Sequence, residues 1–84
     1  MNAKQKKILS KIFEKPTRSD VSWQETVSLL LGIGAVMKEG SGSRVRFRRR
    51  GYSLHVHAPH PEKVISKSTV ETVRAFLTDI GVAP

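Results

Sequence analysis

The sequence predicts an α+β fold: a three-stranded antiparallel sheet with helices on one face, in the order α-α-β-β-β-α. Strict two-residue alternation in Arg44-Val45-Arg46-Phe47-Arg48 and again in Tyr52-Ser53-Leu54-His55-Val56-His57 is the period of half-buried strands. Apolar residues spaced at three and four after Ser22 and after Ser66 are the period of amphipathic helices. A sheet with one apolar face and helices with one apolar stripe each bury those surfaces most simply against one another. Eighty-four residues suffice for such a two-layer core and read as one domain, residues 1–84.

The first helix is expected over Lys4 to Phe13, with Ile8, Leu9, Ile12 and Phe13 on one stripe and Lys4, Lys6, Lys7 and Lys11 on the remaining surface. Pro16 stops it. Residues 1–15 therefore form an extra N-terminal helix, and residues 22–82 form the main body. Ser22-Trp23-Gln24-Glu25 fits a capping box that starts a second helix, whose stripe is expected to be Trp23, Val27, Leu30 and Leu31. Gly34 can close it in a left-handed conformation after Ile33.

A first strand is expected over Ala35 to Glu39, and Gly40-Ser41-Gly42 is a turn into the Arg-rich hairpin. A two-residue turn at Arg50-Gly51, with Gly51 supplying a positive φ, sets Arg49 opposite Tyr52, Phe47 opposite Leu54, Val45 opposite Val56 and Arg44 opposite His57. That register sorts Val45, Phe47, Leu54 and Val56 onto one face. Arg44, Arg46, Arg48, Ser53, His55 and His57 fall on the other, and a slip of one residue would destroy the sorting. Ala58-Pro59-His60-Pro61 is an exposed loop, because two prolines remove ladder donors. Ser66 or Ser68 caps the last helix, Glu71 completing a box from Ser68, with Val70, Val73, Phe76, Leu77 and Ile80 as its buried stripe up to Gly81.

Fifteen Lys and Arg against seven acids leave a formal charge of +8, and no acid falls between Ser41 and Pro61. Five arginines stand within seven positions there. Charge on an exposed strand also protects an edge from aggregation, but this density points to a polyanion, nucleic acid or an acidic protein. No cysteine is present, so disulfide frameworks and thiolate metal sites are excluded. The apolar run from Val27 to Met37 is broken by Ser28, Gly32 and Gly34 and is far shorter than a membrane helix needs. It also lies too far in to act as a secretory signal. The expectation is a cytoplasmic protein with no membrane partner. Zinc held by His55, His57 and His60 is disfavoured by the positive surroundings and the lack of a neighbouring carboxylate, so no metal or other cofactor is expected. Trp23 reads as core, and Tyr52 at the hairpin end is the better base-stacking candidate. The N-terminal helix reads as packing with lysines toward water, or alternatively as a docking surface for RNA or an acidic partner.

From about Ser22 to Val82 the chain resembles the HicA family of toxins, the RNA-cleaving partners of HicB antitoxins in type II toxin–antitoxin modules. The resemblance rests on Leu31-Gly32-Ile33-Gly34, then Glu39-Gly40-Ser41-Gly42-Ser43-Arg44-Val45-Arg46-Phe47, then His57-Ala58-Pro59-His60-Pro61, then Val70-Glu71-Thr72-Val73-Arg74-Ala75-Phe76-Leu77. The Pro-His-Pro element matches a longer subgroup with an N-terminal helix. The resemblance implies a fold similar to the double-stranded RNA-binding domain, binding and cleavage of messenger RNA by an endoribonuclease, and inhibition by a HicB-like antitoxin. Typical members carry a histidine directly after the Gly-Ser turn or one residue later, and that histidine is taken as catalytic. Here Arg44 and Val45 follow Gly42-Ser43.

Metal-free RNA cleavage needs a base for the ribose 2′-hydroxyl, cationic donors for the phosphate and an acid for the leaving oxygen. His57, opposite Arg44, is the first candidate base, in nearly the space of the missing histidine, with His55 and His60 as partners. Arg44, Arg46, Arg48, Arg49, Arg50 and Ser43 are the candidate RNA-binding residues. The alternative is a non-catalytic RNA-binding module using the same basic face. A third possibility is a domain that binds an acidic protein there.

Overall fold

The computed structural model describes residues 1–84. Its elements are α1 (Ala3–Phe13), α2 (Trp23–Gly32), β1 (Val36–Glu39), β2 (Arg44–Arg49), β3 (Tyr52–His57) and α3 (Lys67–Asp79), the predicted order. The strands form one antiparallel sheet in the order β1-β2-β3.

Every β2–β3 pair is the expected one, from Arg49 with Tyr52 to Arg44 with His57. The turn between them has both central residues in the left-handed region, Arg50 at φ 53° and Gly51 at φ 81°. Positive φ at both positions is the type I′ geometry whose twist suits a two-residue hairpin. Sequence reasoning anticipated Gly51 but not Arg50, which takes this conformation against its Cβ sterics. Burial of Val45, Phe47, Leu54 and Val56 explains why the register holds. A slip would carry fully buried Phe47 into water at a cost of about 2–3 kcal/mol.

The helices cover that apolar face. The stripe of α3, Val70, Val73, Phe76, Leu77 and Ile80, is buried as expected, and α3 packs on β3. The helix begins after Ser66, whose hydroxyl accepts from the Thr69 amide at 3.2 Å. The alternative box from Ser68 does not form: Glu71 instead accepts from the Thr17 hydroxyl at 3.0 Å.

On α2 the buried residues are Thr26, Leu29 and Leu30, whereas Leu31 is exposed and Trp23 and Val27 are half-buried. The expected stripe is rotated because α1 packs along α2 and claims part of its circumference. Thr26 tolerates burial because its hydroxyl donates to the Ser22 carbonyl at 2.7 Å. Ser22 caps α2 by accepting from the Glu25 amide at 3.2 Å. The reciprocal half of the box is absent; a bridge between Ser22 and Val64 ties this end of α2 to the approach to α3. Trp23 meets Phe47 edge-on at 6.4 Å between ring centroids, a core contact as expected. After Ile33, Gly34 at φ 93° closes α2, with Ala35 N–H donating to Leu30 O and Gly34 N–H to Leu31 O.

Helix α1 is capped by Asn2, which accepts from the Gln5 amide while the Gln5 side chain accepts from the Asn2 amide. Its Ile8, Leu9 and Ile12 join the same apolar core as the sheet and α3. Two polar ties hold it. Gln5 Nε2 donates to the Ser28 carbonyl at 3.0 Å, and Arg74 on α3 donates to the Ile12 carbonyl at 2.8 Å, the Glu14 carbonyl at 3.2 Å and Thr17 Oγ1 at 3.2 Å. Arg74 thereby satisfies carbonyls that the end of α1 leaves without helical partners. Past that end Arg18 bridges Asp20 at 2.7 Å and Glu14 at 2.8 Å, and Lys11 lies 3.7 Å from Asp20. The hydrogen bonds from Arg18 hold the Asp20 carboxyl well below the usual carboxylate range, and Arg18 is shifted up in turn. No helix is long and apolar enough to cross a membrane.

Candidate functional site

The face of the sheet opposite the helices is organised by the register into cross-strand rows. Arg44 pairs with His57 in the first row. Lys38, Arg46 and His55 make the second, and Val36, Arg48 and Ser53 the third. Residues paired across antiparallel strands share a face, so each row presents its side chains together. All of them are exposed except Arg46, which is half-buried between its two neighbours.

The first two rows border an open hollow of about 450 Å³, lined among others by Lys38, Arg44, Arg46, His55 and His57. Glu39 is the one acid on its wall. Lys38, Arg44 and Arg46 place three cationic side chains around one hollow, an arrangement whose summed field attracts anions.

Ser43 pins the end of this hollow. Its carbonyl accepts from the Ala58 amide at 2.8 Å, extending the β2–β3 ladder by one bond, and its Oγ lies 3.3 Å from His57 Nδ1. Arg44 is held from the other side: its carbonyl accepts from the Gly40 amide at 2.8 Å, and its guanidinium donates to Ser41 Oγ at 3.3 Å. The turn from β1 into Ser43 and Arg44 passes through Gly42 at φ 66°, a conformation a side chain resists. His57, with Nδ1 beside the Ser43 hydroxyl, lines the hollow together with Arg44. That pairing of a proton acceptor with a fixed cation is what phosphate-ester chemistry uses.

The structure thus brings Ser43, Arg44, Arg46, His55 and His57 together, with Arg48 one row further on. The other candidates lie elsewhere. His60 is exposed on the loop past β3 and does not line the hollow. Arg49 alternates to the opposite face, where its guanidinium lies over Gly34 and faces the negative end of α2. Arg50 sits at the exposed hairpin tip, and Tyr52, 47 % exposed, pairs with Arg49. No group of three His, Cys, Asp or Glu side chains is assembled that could hold a metal ion.

Sequence reasoning missed the contribution of β1. Lys38 and Val36 reach the open face because β1 pairs with β2. The signal was present in the alternation of Val36-Met37-Lys38-Glu39, but using it requires the length of the Gly40–Ser43 connection, which sets the pairing.

No curated protein and no solved structure matches the chain. A family model described as the HicA toxin of bacterial toxin–antitoxin systems matches residues 23–82, from the first turn of α2 to just past α3. With most of the chain matched, and with the layered helices and sheet in the order read from the sequence, the protein belongs to the HicA toxin family.

Proposed function

We propose that this protein is the toxin of a toxin–antitoxin module, acts in the cytoplasm, binds messenger RNA on the open face of its sheet and cleaves it without a metal ion. A HicB-like antitoxin holds it inactive by covering that face. The observation that carries the reading is the contact of Ser43 Oγ with His57 Nδ1 at 3.3 Å, directly beside Arg44 and on the rim of the basic hollow.

In the competent form His57 Nδ1–H donates to Ser43 Oγ, which leaves the Nε2 lone pair free toward the hollow. Nε2 takes the proton of the ribose 2′-hydroxyl, the 2′-oxygen attacks phosphorus, and the bond to the 5′-oxygen breaks. Arg44 and Arg46 hold the phosphate oxygens as their charge grows. His55, in the next row, is better placed than His60 to return a proton to the leaving oxygen, since His55 lines the hollow and His60 does not. The products are a 2′,3′-cyclic phosphate and a 5′-hydroxyl.

Three further features support this reading. Arg50 occupies a left-handed position that Asn or Gly fills at lower cost, as expected of a residue kept for contact with a ligand. The packing of helices on one face only leaves the other free for RNA, in keeping with a double-stranded RNA-binding-domain-like fold. Residues 1–84 act as one domain, because α1 shares the core of the family-matched region.

The test is incubation of purified protein with labelled RNA in chelator. Fragments with cyclic phosphate ends are expected, lost in His57→Ala, and slowed at least tenfold in Ser43→Ala with a shifted pH profile. Cleavage by His57→Ala at the wild-type rate removes His57 from the mechanism. RNA that is retained but never cut identifies a non-catalytic binder, the reading favoured by Arg44 and Val45 standing where typical family members place their histidine.

A further inference from the structure

The third row of the open face differs in chemistry from the other two. Val36 is 69 % exposed, more than any other large apolar residue of the protein, and it stands beside Arg48 and Ser53 on an otherwise basic surface. Edge strands ordinarily carry polar residues toward solvent, so an open branched side chain here is a surface that water wets poorly. An apolar floor, a guanidinium plane and a hydroxyl in one row are the groups that hold a nucleobase. The floor takes the ring, the guanidinium stacks or donates, and the hydroxyl donates or accepts at a base edge.

The distance from the hollow gives this row its meaning. Alternate residues of a strand are separated by about 6.6 Å, so the three rows stand at that interval and the third lies about 13 Å from the first. That interval is comparable to the separation of successive phosphates along an extended RNA strand. A strand laid along β2 with one phosphate at Arg44 and His57 therefore sets its next phosphate at Lys38 and Arg46, and the nucleotide after that at Val36.

We propose that Val36, Arg48 and Ser53 form a nucleobase subsite that reads single-stranded RNA two nucleotides from the phosphate held at His57. The proposal rests on the reading of the open face as an RNA site and adds to it a place where base identity is sensed. A duplex cannot use the subsite, because its bases are stacked and paired away from the sheet.

The experiment is an anisotropy titration with short single-stranded RNAs carrying 2′-O-methyl riboses, which block cleavage, and a single abasic nucleotide moved along one sequence. In the wild-type protein one position of the scan should weaken binding about fivefold, the order expected for burying part of one base against a valine side chain and a guanidinium. Val36→Ser should weaken binding of the intact oligomer by the same factor and flatten the scan, while Val36→Ile preserves both. Val36 is exposed, so these variants keep the fold, which circular dichroism checks. A flat scan in the wild type, or a Val36→Ser scan that keeps its weak position, overturns the subsite while leaving RNA binding intact. Absence of salt-sensitive binding to every oligomer overturns the RNA reading itself.

Discussion

Neutralising Arg46 is the sharpest probe of the open face. Arg46 sits in the middle row, half-buried between Lys38 and His55, where the register leaves its side chain no other occupation than the hollow. If Lys38, Arg44 and Arg46 each displace one counterion from the RNA backbone, log K against log salt has a slope of about −0.7 per contact, or roughly −2.1 in all. Between about 50 and 200 mM salt the affinity for single-stranded RNA then falls roughly twentyfold. Arg46→Gln keeps much of the side-chain length while removing the charge, and should flatten the slope to about −1.4, a fall of roughly sevenfold over the same range. Lys7→Gln, on the exposed side of α1, removes the same unit of net charge away from the face and should leave the slope at its wild-type value. The assay is fluorescence anisotropy with cleavage-blocked RNA at several salt concentrations. An unchanged slope in Arg46→Gln, or an equal change in both variants, would refute a localised phosphate track in favour of diffuse attraction to net charge.

Arg74→Ala removes donors from the Ile12 and Glu14 carbonyls and from Thr17, and is expected to cost about 2 kcal/mol, lowering Tm by roughly 8–16 °C in thermal unfolding; a shift under about 2 °C would mean that α1 is held by its apolar residues alone. Arg50→Asn relieves the left-handed strain at the hairpin tip and should raise stability by about 0.5–1 kcal/mol in denaturant titration while lowering RNA affinity. A gain in stability with unchanged affinity would detach Arg50 from binding. Asp20 is held below the ordinary carboxylate range by Arg18, so its folded form favours the charged state. The stabilisation is complete above the unfolded pKa of about 4 and is lost as pH falls through the depressed folded value. Unfolding curves of wild type and Asp20→Asn should therefore differ at neutral pH and converge in acid; a constant gap would contradict the ion pair.

The local patterns of the chain determined the element order, the hairpin register and the ends of the helices. Alternation in Arg44–Arg49 and Tyr52–His57 leaves one pairing that buries Val45, Phe47, Leu54 and Val56, and Gly34 and Gly81 supply the positive φ that closes α2 and α3. Such features are set by sterics and by water within a few residues, so the sequence suffices for them. Tertiary structure decided everything that depends on which surfaces meet. It rotated the buried side of α2 onto Thr26, Leu29 and Leu30 because α1 shares that helix's surface. It brought Lys38 and Val36 onto the basic face, set Ser43 against His57, and turned Arg49 away toward Gly34. These juxtapositions join residues whose local patterns are compatible with several packings, and only burial of the shared core selects among them. The sequence determined that a basic face exists, and the packing determined which side chains work together on it.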